Sequence, residues 1–182
     1  MIEIASLEEL TETQREAAAH ILVRALAPWP SAYRTLKEAR KEVDSFAGNP
    51  ERLGFAALDG NAVRGWIGAI RTYDHGWELH PLAVDPDYAR GGIGTQLVRM
   101  VEETARAQNI CTLYVGTDDE FGGTNVFSKD LYPDVSAHMR RLAPARGHPF
   151  VFYRKLGFSV VGLLPDVNGP GKPDIFMAKR MS

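Results

Sequence analysis

Cysteine is all but missing from this chain. Its 182 residues hold one, Cys111, which excludes an intramolecular disulfide and a metal cage built on paired thiolates. Long apolar runs are missing too, since no stretch approaches the roughly 20 residues that a membrane-spanning helix requires. The opening Met-Ile-Glu-Ile-Ala-Ser-Leu lacks the basic segment and apolar core of a secretory leader. Nor does one sign of charge dominate. Lysine and arginine number 21 against 23 aspartate and glutamate, a formal net charge of −2, so the molecule as a whole offers little to nucleic acid or an anionic membrane. No repeat, low-complexity tract or linker interrupts it. The expected setting is a reducing cytoplasm, with no nucleic-acid, membrane or metal partner.

What is present is ordinary for a globular protein, at 45% hydrophobic and 24% charged residues. One domain spanning 1–182 is long enough to bury a full core. Ile2 and Ile4 flank Glu3 as in a short strand. Ser6 and Glu9 form a capping-box pattern ahead of Leu10, Ala17, Ala18, Ile21, Leu22 and Ala25 at helical spacing. Pro28-Trp29-Pro30 ends that helix. Ser31 is the expected cap of a second helix with Tyr33, Leu36, Ala39, Val43 and Phe46 on one face. The period then changes. Segments 53–58, 63–73 and 77–84 read as three strands joined by Asp59-Gly60-Asn61 and Asp74-His75-Gly76, turns suited to an antiparallel meander. A glycine-rich turn opens a helix over 92–108, followed by a buried-type strand at 110–115 that takes in Cys111 as a small core residue. Segment 121–147 is polar and gives no periodic signal; 148–156 reads as an aromatic helix, and 158–164 and 174–178 as strands. The strand–helix–strand unit from 77 to 115 requires a parallel crossover, so the class is α+β, a central mixed but mostly antiparallel sheet flanked by helices.

Two features carry chemistry. Arg90-Gly91-Gly92-Ile93-Gly94-Thr95 follows a strand and begins a helix. Glycines there let backbone approach a ligand, and the first N–H groups of the helix form an anion site without needing a side-chain charge. A dinucleotide fingerprint would need glycine where Leu97 stands, and a Walker loop would need a Gly-Lys-Ser/Thr ending that is absent. The second feature is Glu78-Leu79-His80-Pro81-Leu82, where proline interrupts a strand and marks an edge, a bulge or a splay. Glu78 and His80 alternate and so share a face. An alkylammonium titrates near pKa 10.4, and its deprotonation at neutral pH costs roughly 4.6 kcal/mol. A half-buried carboxylate, or a histidine beside it, serves as the base for a nucleophilic amine.

The element order and the glycine turn resemble the GNAT superfamily of acetyl-CoA-dependent N-acetyltransferases. Gly92 and Gly94 match its pyrophosphate pattern; the opening Arg/Gln position falls on Ala89, with the arginine one place later at Arg90. Further blocks resemble the aminoglycoside 6′-N-acetyltransferase subgroup related to the chromosomal enterococcal enzyme. These are Glu78 to Leu82, Gly116-Thr-Asp-Asp119, Asp130-Leu-Tyr132, His148-Pro149 with Phe152-Tyr153, and Pro165-Asp166 through Asp174, with Trp29-Pro30 in the N-terminal third. The resemblance implies the GNAT fold, acetyl-CoA as co-substrate without a metal, and direct transfer to an aminoglycoside 6′-amine in a ternary complex. It implies that the pantetheine arm lies in a splay between strands 77–84 and 110–115. It makes Glu78 the base or substrate anchor, with His80 sharing the role. Leu82 supplies an oxyanion-binding N–H, and Tyr153 is the acid for the departing thiolate. Leu82, Val84, Arg90, Gly91, Gly92, Ile93, Gly94, Thr95 and Tyr153 become cofactor contacts. Trp29, Tyr33, Glu78, Asp118, Asp119, Glu120, Asp166 and Asp174 become substrate contacts.

Asp118-Asp119-Glu120 is an acidic run directly after a strand, suited to a polycation. Arg140, Arg141 and Arg146 either neutralise cofactor phosphates or face water. Another amine acceptor (a polyamine, a small metabolite or a protein lysine) needs the same chemistry, and a non-catalytic acyl-CoA sensor is a third reading that Glu78 and Tyr153 argue against. Related enzymes are commonly dimers, so a homodimer is expected, through exposed aromatic residues near the C-terminal hairpin.

Overall fold

Strand β1 (Ile2–Ser6) leads into α1 (Glu12–Leu26) and α2 (Leu36–Asp44), then into the meander β2 (Arg52–Asp59), β3 (Ala62–Tyr73) and β4 (Gly76–Val84). Helix α3 (Ile93–Ala107) and β5 (Thr112–Asp118) follow, then short helices α4 (Val135–Arg140) and α5 (Phe150–Lys155), and the hairpin β6 (Ser159–Leu164) with β7 (Asp174–Arg180). This computed structural model describes residues 1–181. The fold is α+β, its strands ordered β1-β2-β3-β4-β5-β7-β6 in a mixed sheet. Contacts divide the chain into two compact units, Met1–Leu113 with the C-terminal end, and Tyr114–Arg180. No helix among the described residues is long and apolar enough to cross a membrane.

In the first unit β1 to β4 pair antiparallel, each with the next. The core gathers Leu22, Ala39, Val43, Phe46 and Trp66 between the helices and the sheet. Trp66 is fully buried, and its indole N–H donates to the Ala18 carbonyl at 3.0 Å, which removes the penalty of burying that polar edge. The helix starts differ from expectation. Ser6 caps only a single 3-10 turn over Leu7–Glu9, and Thr11 with Gln14 forms the capping box of α1. Likewise Thr35 with Glu38, not Ser31, caps α2, which leaves Tyr33 in the connecting turn. In both cases a complete reciprocal box caps the helix, while the Ser6 side chain accepts only from Glu8 N–H and the Ser6–Glu9 box does not form.

The second unit holds β5, β6, β7 and the irregular segment between β5 and α5. That segment is anchored by backbone rather than by regular elements. Asp119 N–H donates to the Pro173 carbonyl at 2.9 Å, Ser128 N–H to Gly171 at 2.8 Å, and Thr124 bridges Pro144. The strand expected at 110–115 starts later, at Thr112, and runs through Asp118. Cys111 is therefore exposed rather than in the core. Asn109, at φ 57°, turns the chain, and Cys111 N–H donates to the His75 carbonyl. The exposed apolar side chains of the hairpin are Val161, Leu164 and Val167; Phe158 just before it is buried and Phe176 on β7 is half-buried, so neither is the exposed aromatic expected there.

Candidate active site

The candidate residues fall into two sets, one in each unit. In the first, Gly92 is the N-cap of α3 with φ 84°, a left-handed value that glycine adopts without penalty. No side chain caps this helix, so the first N–H groups of a 15-residue helix stay available at its positive end. A Cβ on Gly92 would find no heavy atom within 4 Å, so the turn is open on that side. Gly91 is exposed, while Ile93 turns inward as a core residue. Gly65 on β3 makes that packing possible, because a Cβ there would lie 2.9 Å from the Ala83 carbonyl and 3.3 Å from Ile93. The approach to the turn is pinned by a pair that sequence reasoning missed. Arg24 of α1 reaches Asp85 at 3.0 Å and Asp87 at 2.9 Å, and Asp85 caps the intervening 3-10 turn. These features fit a pyrophosphate group.

On β4 the proline marks a bulge. Ile67 pairs with Leu82 and Ala69 with Leu79, so His80 and Pro81 together oppose Gly68. Their peptide bond is cis. Cross-strand partners share a face, and an inserted residue swaps the alternation. Glu78 (opposite Ile70) and Ala83 (opposite Trp66) therefore lie on the face that carries α1 and α2, while Leu79 and Leu82 lie on the other. Gly68 is required at the bulge, since a Cβ would collide with the His80 carbonyl and the Phe46 ring. Glu78 and His80 are both half-buried on the helix-covered face, and His80 Nε2 is 3.1 Å from the Tyr33 hydroxyl. Burial, with the charge of Glu42 and a hydrogen bond to it, raises Tyr33 above the usual phenol range. Trp29 is half-buried in the same α1–α2 connection, where its N–H donates to Leu26. Leu82 and Val84 are half-buried on the strand that enters the glycine turn.

In the second unit the expected carboxylates differ in burial. Asp119 is fully buried, accepting from Gly123 N–H at 2.7 Å and from the Thr124 N–H and hydroxyl at 2.8 and 2.7 Å. Its carboxylate is engaged in folding the loop back on itself. Glu120 is buried as well. Asp118 is half-buried, with Asn168 donating to its carboxylate. His148 Nδ1 accepts from Phe150 N–H at 3.2 Å, so its other nitrogen carries the proton and donates to the Asp118 carbonyl at 3.1 Å. Burial lowers the His148 pKa, against the opposing pull of Asp119 and Asp118. Asp166 serves the hairpin turn, accepting from Gly171 N–H at 2.7 Å at φ 56°. Asp174 opens β7 with its carboxylate against Gly116. Tyr153 on α5 is buried, its ring edge-on to Phe152 and Phe158. That burial raises its phenol and keeps it protonated.

A backbone anion site at the start of a helix, a bulged strand leading into it and an acid–imidazole pair on that strand are the parts of an acyl-CoA-dependent transferase. The Acetyltransferase (GNAT) family model matches residues 9–131, and the chain belongs to that family. Over 99% of its length it is 36% identical to an aminoglycoside 6′-N-acetyltransferase solved with coenzyme A, with a TM-score of 0.89 and 97% of that chain covered. Against the aminoglycoside 6′-N-acetyltransferase of Enterococcus faecium the identity is also 36%, the coverage 99% and 97%, and the TM-score 0.87. An uncharacterized N-acetyltransferase of Methanocaldococcus jannaschii is 36% identical over 74 residues, 40% of this chain and 30% of that protein's length.

Proposed function

We propose that the protein transfers the acetyl group of acetyl-CoA to the 6′-amino group of an aminoglycoside, in a ternary complex, and so confers resistance. The observation that carries this reading is identity of 36% across 99% of the chain with proteins of that activity, with Glu78, His80 and the glycine turn in place. The backbone amides at Gly92 to Thr95 hold the pyrophosphate. Glu78 draws in the substrate ammonium, and Glu78 with His80 removes its proton. The amine lone pair then attacks the thioester carbon, and the Leu82 N–H stabilises the resulting oxyanion. Collapse breaks the carbon–sulfur bond, and the nitrogen gives up its second proton to solvent as the neutral amide forms. Tyr153, held protonated, supplies a proton to the thiolate, a group that with pKa about 8.5 already leaves readily. Asp118, Asp166, Asp174, Trp29 and Tyr33 shape the acceptor site. The working form is a cytoplasmic homodimer, with Val161, Leu164 and Val167 as the apolar surface for a second copy.

One observation favours a different amine acceptor. Burial of Asp119 and Glu120 leaves fewer carboxylates for a polycation than the sequence suggests, which suits a polyamine, a small metabolite amine or a lysine. Thiol release from acetyl-CoA with kanamycin, a matched 6′-hydroxyl aminoglycoside, spermidine and a lysine-rich peptide separates the readings. Turnover with kanamycin and none with the 6′-hydroxyl compound is expected; turnover with spermidine or peptide alone would reassign the acceptor.

A further inference from the structure

Asp85 and Asp87 are awkward neighbours for an anion site. Asp85 is the N-cap of the 3-10 turn Pro86–Tyr88 and Asp87 lies within it, directly ahead of the glycines. The Tyr88 carbonyl accepts from Gly91 N–H at 3.4 Å, so one hydrogen bond separates the acidic turn from the glycine turn. A bare carboxylate held there repels a phosphate and works against the positive end of α3. Arg24 meets both carboxylates with a single guanidinium. Its Nη1 lies 3.0 Å from Asp85 Oδ1 and its Nη2 2.9 Å from Asp87 Oδ2. The arginine stands in the last turn of α1, a helix end that itself favours a cation.

The acidic turn does not depend on Arg24 for its shape. Asp85 Oδ1 accepts from Asp87 N–H at 3.2 Å, and Tyr88 N–H donates to the Asp85 carbonyl at 2.8 Å. From β3 the Arg64 carbonyl accepts from Asp85 N–H at 2.9 Å, and the Arg64 guanidinium lies 4.2 Å over the Tyr88 ring. Shape is thus supplied by the turn itself and by β3, and what α1 adds is charge. We propose that Arg24 is a positioning residue for acyl-CoA, which offsets Asp85 and Asp87 so that the pyrophosphate meets the amides of Gly92 to Thr95 without repulsion. Arg24, Arg64 and Arg90 together leave this region one net positive charge over Asp85 and Asp87; without Arg24 it has none. The proposal rests on the acetyl-CoA part of the proposed function and is independent of the acceptor amine.

Titration calorimetry with CoA tests it without turnover. Arg24→Gln is expected to raise the CoA dissociation constant about tenfold at low salt. The gap from wild type should close in about 1 M salt, where exposed charges act over only about 3 Å. Arg24→Lys should recover most of the loss. So should Asp85→Asn with Asp87→Asn in the Arg24→Gln background, because asparagine keeps the cap and removes the charge. A brace acting by shape alone predicts no such recovery, since the contacts to the arginine stay broken. In acetyl transfer the loss should fall on the acetyl-CoA KM rather than on kcat. Unchanged CoA binding by Arg24→Gln, a loss just as large in 1 M salt, or no recovery with the asparagines would overturn the proposal. CoA binding with no amine acetylated would remove the transfer reading alone, whereas a wild type that does not bind CoA would remove both.

Discussion

At the scale of single residues, the distinction that matters is between carboxylates proposed for the chemistry and carboxylates spent on the fold. Glu78 stands on the helix-covered face of β4 beside His80. Glu78→Gln should lower kcat by about 100-fold, the lower end for a general base, while leaving the KM for acetyl-CoA as it is. Unchanged turnover would remove Glu78 from the chemistry. Asp119 belongs to the other group. Asp119→Ala strands two buried backbone N–H groups of Gly123 and Thr124 and should destabilise the protein by about 3 kcal/mol, read by denaturant unfolding. His148 adds a pH signature of its own. Its folded pKa is depressed by burial, so the unfolded chain binds the proton more readily. Stability is then full above the unfolded value of about 6.5 and falls as pH drops below it toward the folded value. His148→Gln should flatten that part of the unfolding profile relative to wild type; an unchanged profile would show that the ring is not held neutral.

At the scale of elements, the bulge on β4 and the turn before α3 set the geometry. Gly92→Ala forces a residue with a Cβ into φ 84° at the turn proposed to hold the pyrophosphate, and should raise the acetyl-CoA KM well beyond its effect on the KM of the acceptor amine. Equal effects on both would mean that the turn serves folding only. The meander was legible because period-two runs and the tripeptides Asp59-Gly60-Asn61 and Asp74-His75-Gly76 speak locally. The turn at Arg90 to Thr95 was legible because glycines before a helix have few other uses. The starts of α1 and α2 were misplaced because Ser6 and Ser31 compete with Thr11 and Thr35, and only the complete boxes with Gln14 and Glu38 win. The burial of Asp119 and the exposure of Cys111 could not be read from composition, since both follow from long-range backbone pairing, Asp119 with Pro173 and Cys111 with His75 and Met181. Gly68 and Arg24 carry no motif at all, and only the fold assigns them their tasks.

At the scale of the whole molecule, the two units contribute unlike things. The first holds the anion turn, the bulged strand and His80 with its Tyr33 contact. The second holds a loop-rich body organised around a buried aspartate, a neutral histidine and a protonated tyrosine. The family supplies acetyl transfer, and the acceptor amine is the part of the proposed function that activity must decide. The central claim is that the acetyl group goes from acetyl-CoA to the 6′ nitrogen of an aminoglycoside. It is tested most directly by incubating the protein with acetyl-CoA and kanamycin and locating the acetyl group in the product by NMR. A single acetyl group on the 6′ nitrogen is the predicted result; acetylation at another nitrogen, or unmodified drug alongside rapid acetylation of spermidine, would contradict it.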